Sequence, residues 1–161
     1  MIAEGFRVRV AEVGDLAAVV ALERGIAEAP HWAEAEYAAM IHGDSVVKRS
    51  LFVSEAAGRL VGFAVGKVIG SGAESLAELE SVAVEASARR GGVGRALCAV
   101  VVDWCREQGA AALELEVRAG SRGAIALYSG LGFVVTGQRN EYYRGPVEDA
   151  LLMQLDLISD K

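Results

Sequence analysis

Residues 78–97 read Glu-Leu-Glu-Ser-Val-Ala-Val-Glu-Ala-Ser-Ala-Arg-Arg-Gly-Gly-Val-Gly-Arg-Ala-Leu. Leu79 to Val84 reads as a strand, Glu85 to Ala88 as a short polar turn, and Arg89 to Gly94 as a basic loop rich in glycine. From Val93 the apolar residues Leu97, Val100, Val101, Trp104 and Cys105 recur at helical spacing. A strand therefore runs into a glycine-rich loop that opens a helix. The first turn of a helix carries backbone N–H groups without partners, and the helix dipole makes that end positive. Gly91, Gly92 and Gly94 let a ligand approach bare backbone, and Arg89, Arg90 and Arg95 add formal charge. The stretch is a seat for a phosphate or pyrophosphate.

Two common phosphate loops do not fit it. A P-loop ends in Gly-Lys-Ser or Gly-Lys-Thr, and no such triplet occurs in the chain. A dinucleotide fingerprint needs a third glycine after Gly92-Val-Gly94, where Arg95, Ala96 and Leu97 stand, and it belongs in the first strand–helix turn rather than mid-chain.

Composition bounds the rest. At 161 residues, 53% hydrophobic and 24% charged, the chain is expected to be one globular domain over 1–161 with a sizeable core. No apolar run approaches the roughly 20 residues of a membrane span. The N-terminus has no basic region followed by an apolar one, so a soluble cytoplasmic protein is expected. The net charge of -6 disfavours nucleic-acid binding and suits a cationic partner. Cys98 and Cys105 are two helical turns apart, about 10 Å along the axis, which is too far for a disulfide. They read as reduced core residues. His31 and His42 form no ligand cluster with them, so no metal is expected.

Around the central stretch the periodicity predicts a strand at Phe6–Val10, a helix N-capped by Asp15 and ended by Pro30, and a second helix over 33–41. A loop at Gly43-Asp44 follows. Strands at Leu51–Glu55 and Leu60–Ile69 flank the turn Ala57-Gly58-Arg59 as a hairpin, with Gly62 and Gly66 marking a bulge or bend. Gly70-Ser-Gly-Ala is a further turn. Gly109 sits where a left-handed helix cap belongs. Ala112–Val117 alternates strictly, Leu113, Leu115 and Val117 on one face and Glu114 and Glu116 on the other. Ser121 is placed to cap a helix over 122–129, Phe133-Val-Val-Thr begins a strand, and a last strand covers 150–157. The order is strand, helix, helix, three strands, helix, strand, helix, two strands: an α/β (α+β) mixed sheet of about six to seven strands flanked by about four helices.

The loop resembles the acetyl-CoA loop of the GNAT acyltransferases, (Arg/Gln)-x-x-Gly-x-(Gly/Ala), filled by Arg89, Gly92 and Gly94. The element order resembles the GNAT fold as well. From about Leu79 to Leu155 the chain is most similar to the bacterial ribosomal-protein-alanine N-acetyltransferases (the RimI type). The resembling segments are Val82-Ala-Val84, Arg90-Gly-Gly-Val-Gly-Arg95, Leu115-Glu-Val-Arg-Ala119, Ala124-Ile-Ala-Leu-Tyr128, Leu131-Gly-Phe133, Tyr142-Tyr143 and Glu148-Asp-Ala150. Before that the likeness is looser, with Pro30-His31-Trp32 in place of a Pro-Trp segment. The resemblance implies an acetyl-CoA-dependent N-acetyltransferase, with acetyl-CoA as co-substrate and the N-terminal alanine of a small-subunit ribosomal protein as acceptor. It implies Glu116 as general base and Tyr128 as general acid. Val82, Ala83 and Val84 would hold the pantetheine arm by backbone contacts, Arg90 to Arg95 the pyrophosphate, and Ser121 stands where an asparagine usually contacts CoA. Ala119-Gly120-Ser121 replaces Ala-Ser-Asn, and an extra Glu141 separates Asn140 from the tyrosines.

Acetyl transfer to an amine needs a proton acceptor, stabilisation of the thioester oxygen and a proton for the leaving thiolate. A glutamate, backbone N–H groups at a strand bulge near Val82–Val84 and a phenol suit these tasks. Glu114 and Glu80 are rival bases. Trp32 is core or the wall of a substrate groove, and Tyr142 and Tyr143 are plain strand residues or peptide contacts. The expected partners are a basic protein N-terminus or a small amine, with the chain a monomer or homodimer. The competing functions are a small-molecule amine N-acetyltransferase and a non-catalytic acyl-CoA-binding regulator.

Overall fold

Ala57 and Gly58 both take positive φ (52° and 76°), the geometry of a two-residue hairpin turn. They fold β2 (Lys48–Ala56) back on β3 (Arg59–Ile69) in the computed structural model of the chain. The structure describes residues 5–26, 31–42, 47–70, 75–144 and 146–158. Pro30, Gly43, Asp44 and the Ser71-Gly-Ala73 part of an expected turn lie outside them. The remaining elements are β1 (Phe6–Val10), α1 (Leu16–Arg24), α2 (Glu34–His42), β4 (Leu76–Val84), α3 (Val93–Glu107), β5 (Ala112–Arg118), α4 (Arg122–Gly130), β6 (Val134–Tyr143) and β7 (Glu148–Asp156).

Among the described residues seven strands form one sheet in the order β1-β2-β3-β4-β5-β7-β6. All pairs are antiparallel except β4 with β5. One face is covered by α3, whose Leu97, Cys98, Val101 and Cys105 pack on Val61, Ala64, Leu113, Leu115 and Met153, with α4 at the margin. The other carries α1 and α2, where Val19, Tyr37 and Met40 meet Leu51, Val53, Phe63 and Val65. Both cysteines are buried and unpaired, and burial pushes their thiols up to about 12. Gly109 (φ 84°) ends α3 as expected: its N–H reaches Arg106 O, and Ala110 N–H reaches Cys105 O, the double bond of a Schellman cap. Among the described residues no helix is long and apolar enough to cross a membrane.

Several local expectations are corrected. Asp15 does precede α1, but its side chain does not cap it. The carboxylate is drawn to Arg9 (2.8 and 3.0 Å) and to Glu12 N–H (2.7 Å), closing a short turn over 13–15. Arg9 holds that carboxyl below its usual range. Ser121 sits at the N-cap of α4, again without a side-chain cap bond. The strand begun near Phe133 runs on to Tyr143. The two glycines of β3 do mark bulges: Val61, beside Gly62, is the extra residue against β2, and Glu80, opposite Gly66, the extra residue of β4.

Those glycines serve close packing. A Cβ on Gly66 would lie 2.9 Å from Val101 Cγ1, and one on Gly62 would lie 2.9 Å from both Ala83 O and Ser54 Oγ. The Ala83 oxygen is backbone and has little room to yield. Gly62→Ala is therefore expected to lower stability by about 1–3 kcal/mol, read as a lower urea midpoint. An unchanged midpoint would mean that β3 and β4 part without strain.

Candidate active site

Among the described residues β4 and β5 pair over Leu76–Glu78 and Ala112–Glu114 and no further. Beyond that point they diverge, and a cleft of about 680 Å³ opens between them. Glu80 adds one residue to β4 just there. The inward parity consequently switches: Ala77 and Leu79 pack towards α3, as do Val82 and Val84, while Ala83 joins the α1–α2 core. The edge of β4 facing the cleft from Leu79 onward carries no β5 ladder. The bulge lies at Glu80, two residues upstream of the Val82–Val84 segment near which it was expected. Val82 and Ala83 line the cleft; Val84 does not, and lines instead a neighbouring hollow with Glu85 and Arg89 of the basic loop's approach.

The basic loop has the conformation of an anion seat. Arg89 Nε donates to Val84 O (3.0 Å), tying the loop to the end of β4. Arg90 (φ 67°) and Gly92 (φ 89°) both turn left-handed. Ala96 N–H makes the first helical bond, to Gly92 O. The N–H groups before it open at the end of α3, where no side chain caps them. Arg89, Arg90 and Arg95 are exposed, whereas the Val93 side chain is buried, so only its backbone is available to a ligand. A Cβ on Gly94 would meet Leu127 and Val84 at an ordinary 3.6 Å. Packing therefore does not demand a glycine there, and a ligand approaching the backbone of the first turn would.

The candidate acid and base face the same cleft. Glu116, on β5, and Tyr128, on α4, both line it. Glu116 Oε2 pairs with Arg139 Nε at 3.0 Å, and its carboxylate lies close enough to the Tyr142 phenol to raise that group's pKa. The phenol of Tyr128 packs edge-on to Phe133, ring centroids 5.9 Å apart. Burial, with Cys98 and Tyr143 nearby, raises its pKa above the ordinary tyrosine range, so it stays protonated at neutral pH. The rivals to Glu116 fare differently. Glu80, whose side chain is 10% exposed, is held between Arg49 (2.8 Å) and Lys67 (3.3 Å). Glu114 lies exposed on β5 before the cleft begins.

Trp32 resolves into both of its readings: it packs on the α1–α2 core and lines the cleft beside Ile26. Tyr142 and Tyr143 line the cleft together. Neighbours in a regular strand point to opposite faces, so this needs distortion. β6 supplies it: Arg139 pairs with Ala150 and Tyr143 with Glu148, leaving two residues of β6 unmatched, and Glu141 takes φ 51°. The unexpected glutamate is a bulge residue. Ser121 also reaches the cleft.

Sequence reasoning missed the supports. Glu23 is fully buried, and its carboxylate accepts from Trp32 N–H (2.9 Å), the Tyr37 hydroxyl (3.1 Å) and the Arg24 guanidinium. It fixes Trp32 at the cleft. Its signal was an acidic residue inside the apolar stripe of α1. Arg118, Glu148 and Asp149 fall in the resembling segments, but their roles, like that of Arg139, had no local signal, since their partners lie on other strands and turns. Among the described residues no group of three His, Cys, Asp or Glu side chains is placed to hold a metal.

The acetyltransferase (GNAT) family matches residues 17–133, most of the chain and all of the β4–α3 loop. The chain belongs to the GNAT acetyltransferase family. It is 38% identical over 102 residues to the [ribosomal protein bS18]-alanine N-acetyltransferase of Escherichia coli (strain K12), covering 62% of this GNAT chain and 66% of that protein, just under two thirds of its length. The crystal structure of the ribosomal-protein-S18-alanine N-acetyltransferase from Escherichia coli superposes with a TM-score of 0.79 at 31% identity, over 97% of this chain and 96% of that one. At 22% identity and the same TM-score, yncA from Salmonella typhimurium, solved with its cofactor acetyl-CoA, shares the GNAT fold over 97% of this chain and 96% of its own.

Proposed function

We propose that this protein transfers an acetyl group from acetyl-CoA to a protein N-terminal amine, that of an alanine-initiated ribosomal protein before others. The observation that carries the reading is the cleft between β4 and β5, with an anion seat at the start of α3 beside one end and a carboxylate–tyrosine wall along it. The residues present fit acetyl-CoA. The N–H groups of Gly92–Gly94, with Arg89, Arg90 and Arg95 around them, suit a pyrophosphate. The β4 edge left without a strand partner after Glu78 offers backbone groups to an amide-bearing arm.

In this reading Glu116 takes a proton from the incoming ammonium, directly or through a water, while Arg139 orients its carboxylate. Backbone N–H groups near the Glu80 bulge face the oxygen on which charge develops. Tyr128 returns a proton to the departing sulfur. Trp32, Tyr142 and Tyr143 bound the acceptor, and the carboxylates of Glu78, on β4, and Glu116, on β5, both line the cleft and suit a basic peptide.

The deciding experiment follows thiol release from acetyl-CoA with a short basic peptide beginning in alanine, an N-terminally blocked copy and a panel of small amines. Turnover is expected only with the free-amine peptide. Turnover with a small amine alone would replace the protein acceptor by a metabolite, and acetyl-CoA binding with no turnover on any amine would contradict catalysis.

A further inference from the structure

The acidic pair Glu148-Asp149 opens β7, and the proposed chemistry gives it no task. Its two carboxylates reach different banks of the cleft. Glu148 Oε1 pairs with Arg118 Nη1 (3.3 Å), and Oε2 accepts Gly120 N–H (2.6 Å). Arg118 in turn lies over the Tyr143 ring, 4.3 Å from its centroid. Gly120 belongs to the turn that launches α4 and hence Tyr128. Asp149 Oδ1 accepts Glu141 N–H (2.8 Å), its Oδ2 accepts from the Gln138 amide (2.9 Å), and its backbone oxygen accepts Ala119 N–H (2.9 Å).

Two departures from a plain strand–turn–helix meet at this pair. A Cβ on Gly120 would lie 2.5 Å from Glu148 Oε2, so the contact exists because residue 120 has no side chain. Glu141, strained at φ 51°, is held by Asp149 in the bulge that turns both tyrosines inward. Carboxylates accepting backbone N–H bonds are among the stronger neutral-to-ionic contacts, and adjacent residues of one strand move together.

We propose that Glu148 and Asp149 are positioning residues that join the tyrosine wall to the turn carrying α4, so that a disturbance on either bank reaches the other. Naming those banks acceptor and cofactor sides rests on the acetyl-transfer reading; the mechanical link does not.

The test uses Gly120→Ala and Asp149→Asn in the full chain. Amide and aromatic NMR of Gly120→Ala is expected to show shifted Glu141, Tyr142 and Tyr143 resonances, although the substitution lies in the β5–α4 turn. Shifts confined to 118–122 and 148 would overturn the link, whether or not the protein transfers acetyl groups. In the turnover assay Asp149→Asn is expected to raise the acceptor KM about tenfold, the loss of one charged hydrogen bond, and through the link the acetyl-CoA KM by a smaller factor of about three, with kcat and the unfolding midpoint nearly unchanged. An equal loss in all three constants, in step with a lower unfolding midpoint, would mark Asp149 as merely structural and overturn the proposal. A wild type inactive on every amine would count against the acetyl-transfer reading and leave the NMR result to decide the link.

Discussion

Glu116→Gln should lower kcat/KM for the amine acceptor by about 10²–10⁴-fold, the usual contribution of a positioned general base. The substitution keeps the shape of the side chain and removes only the proton acceptor. Its structural cost is small. The ion pair with Arg139 is formed by a guanidinium 55% exposed and a carboxylate 27% exposed, and such pairs contribute at most about 1 kcal/mol. Steady-state kinetics beside a urea melt therefore separates chemistry from folding. Glu114→Gln is the control, two residues earlier on the same face, exposed and outside the cleft; it should change the rate less than about twofold. A Glu116→Gln enzyme within threefold of wild type would remove Glu116 from the mechanism.

That two glutamates on one strand face separate so cleanly was not legible in the sequence. The alternation of Ala112–Val117 put Glu114 and Glu116 on the same side and stopped there. What divides them is the point at which β4 leaves β5, immediately after Glu78 and Glu114, and that is a pairing property of two segments some thirty residues apart. Glu80 was open for the same reason: only the tertiary structure brings Arg49 and Lys67 against it.

The elements themselves were legible because their signals are local. The hairpin turn at Ala57-Gly58 (one residue shorter than expected, because Arg59 already pairs in β3), the glycine cap at Gly109 and the basic loop before α3 each follow from backbone conformation that few residues tolerate. One long-range feature did leave a local trace. In β4 the residues packed towards α3 are odd-numbered up to Leu79 and even-numbered from Val82, and a change of parity inside one strand requires an inserted residue between them. The β6 bulge left the converse trace, an extra glutamate before two tyrosines. Asp149 lies in a segment the sequence singled out, but that it holds this bulge could be found only from the fold.

Tyr128→Phe should lower kcat by about 10²-fold, towards the lower end of the range for a general acid. A thiol resembling cysteine has a pKa of about 8.5 and departs as its anion at moderate cost, so the proton matters less at sulfur than the proton acceptor does at the amine. Phenylalanine keeps the edge-on contact with Phe133 and the packing against the α3 core, so the unfolding midpoint should hold. The pH profile is the sharper readout. Burial raises the folded-state pKa of Tyr128 above the unfolded value of about 10. A group raised in this way keeps its proton, and its contribution to stability, below the unfolded value and loses both as pH climbs towards the folded one. Wild-type kcat should accordingly show no fall from ionisation of this phenol between pH 7 and about 10, while stability begins to decline above that point and does so less in Tyr128→Phe. An alkaline fall in kcat centred below pH 9 in wild type and absent from Tyr128→Phe would mean that the phenol ionises within the working range, which a buried proton donor in this environment does not do.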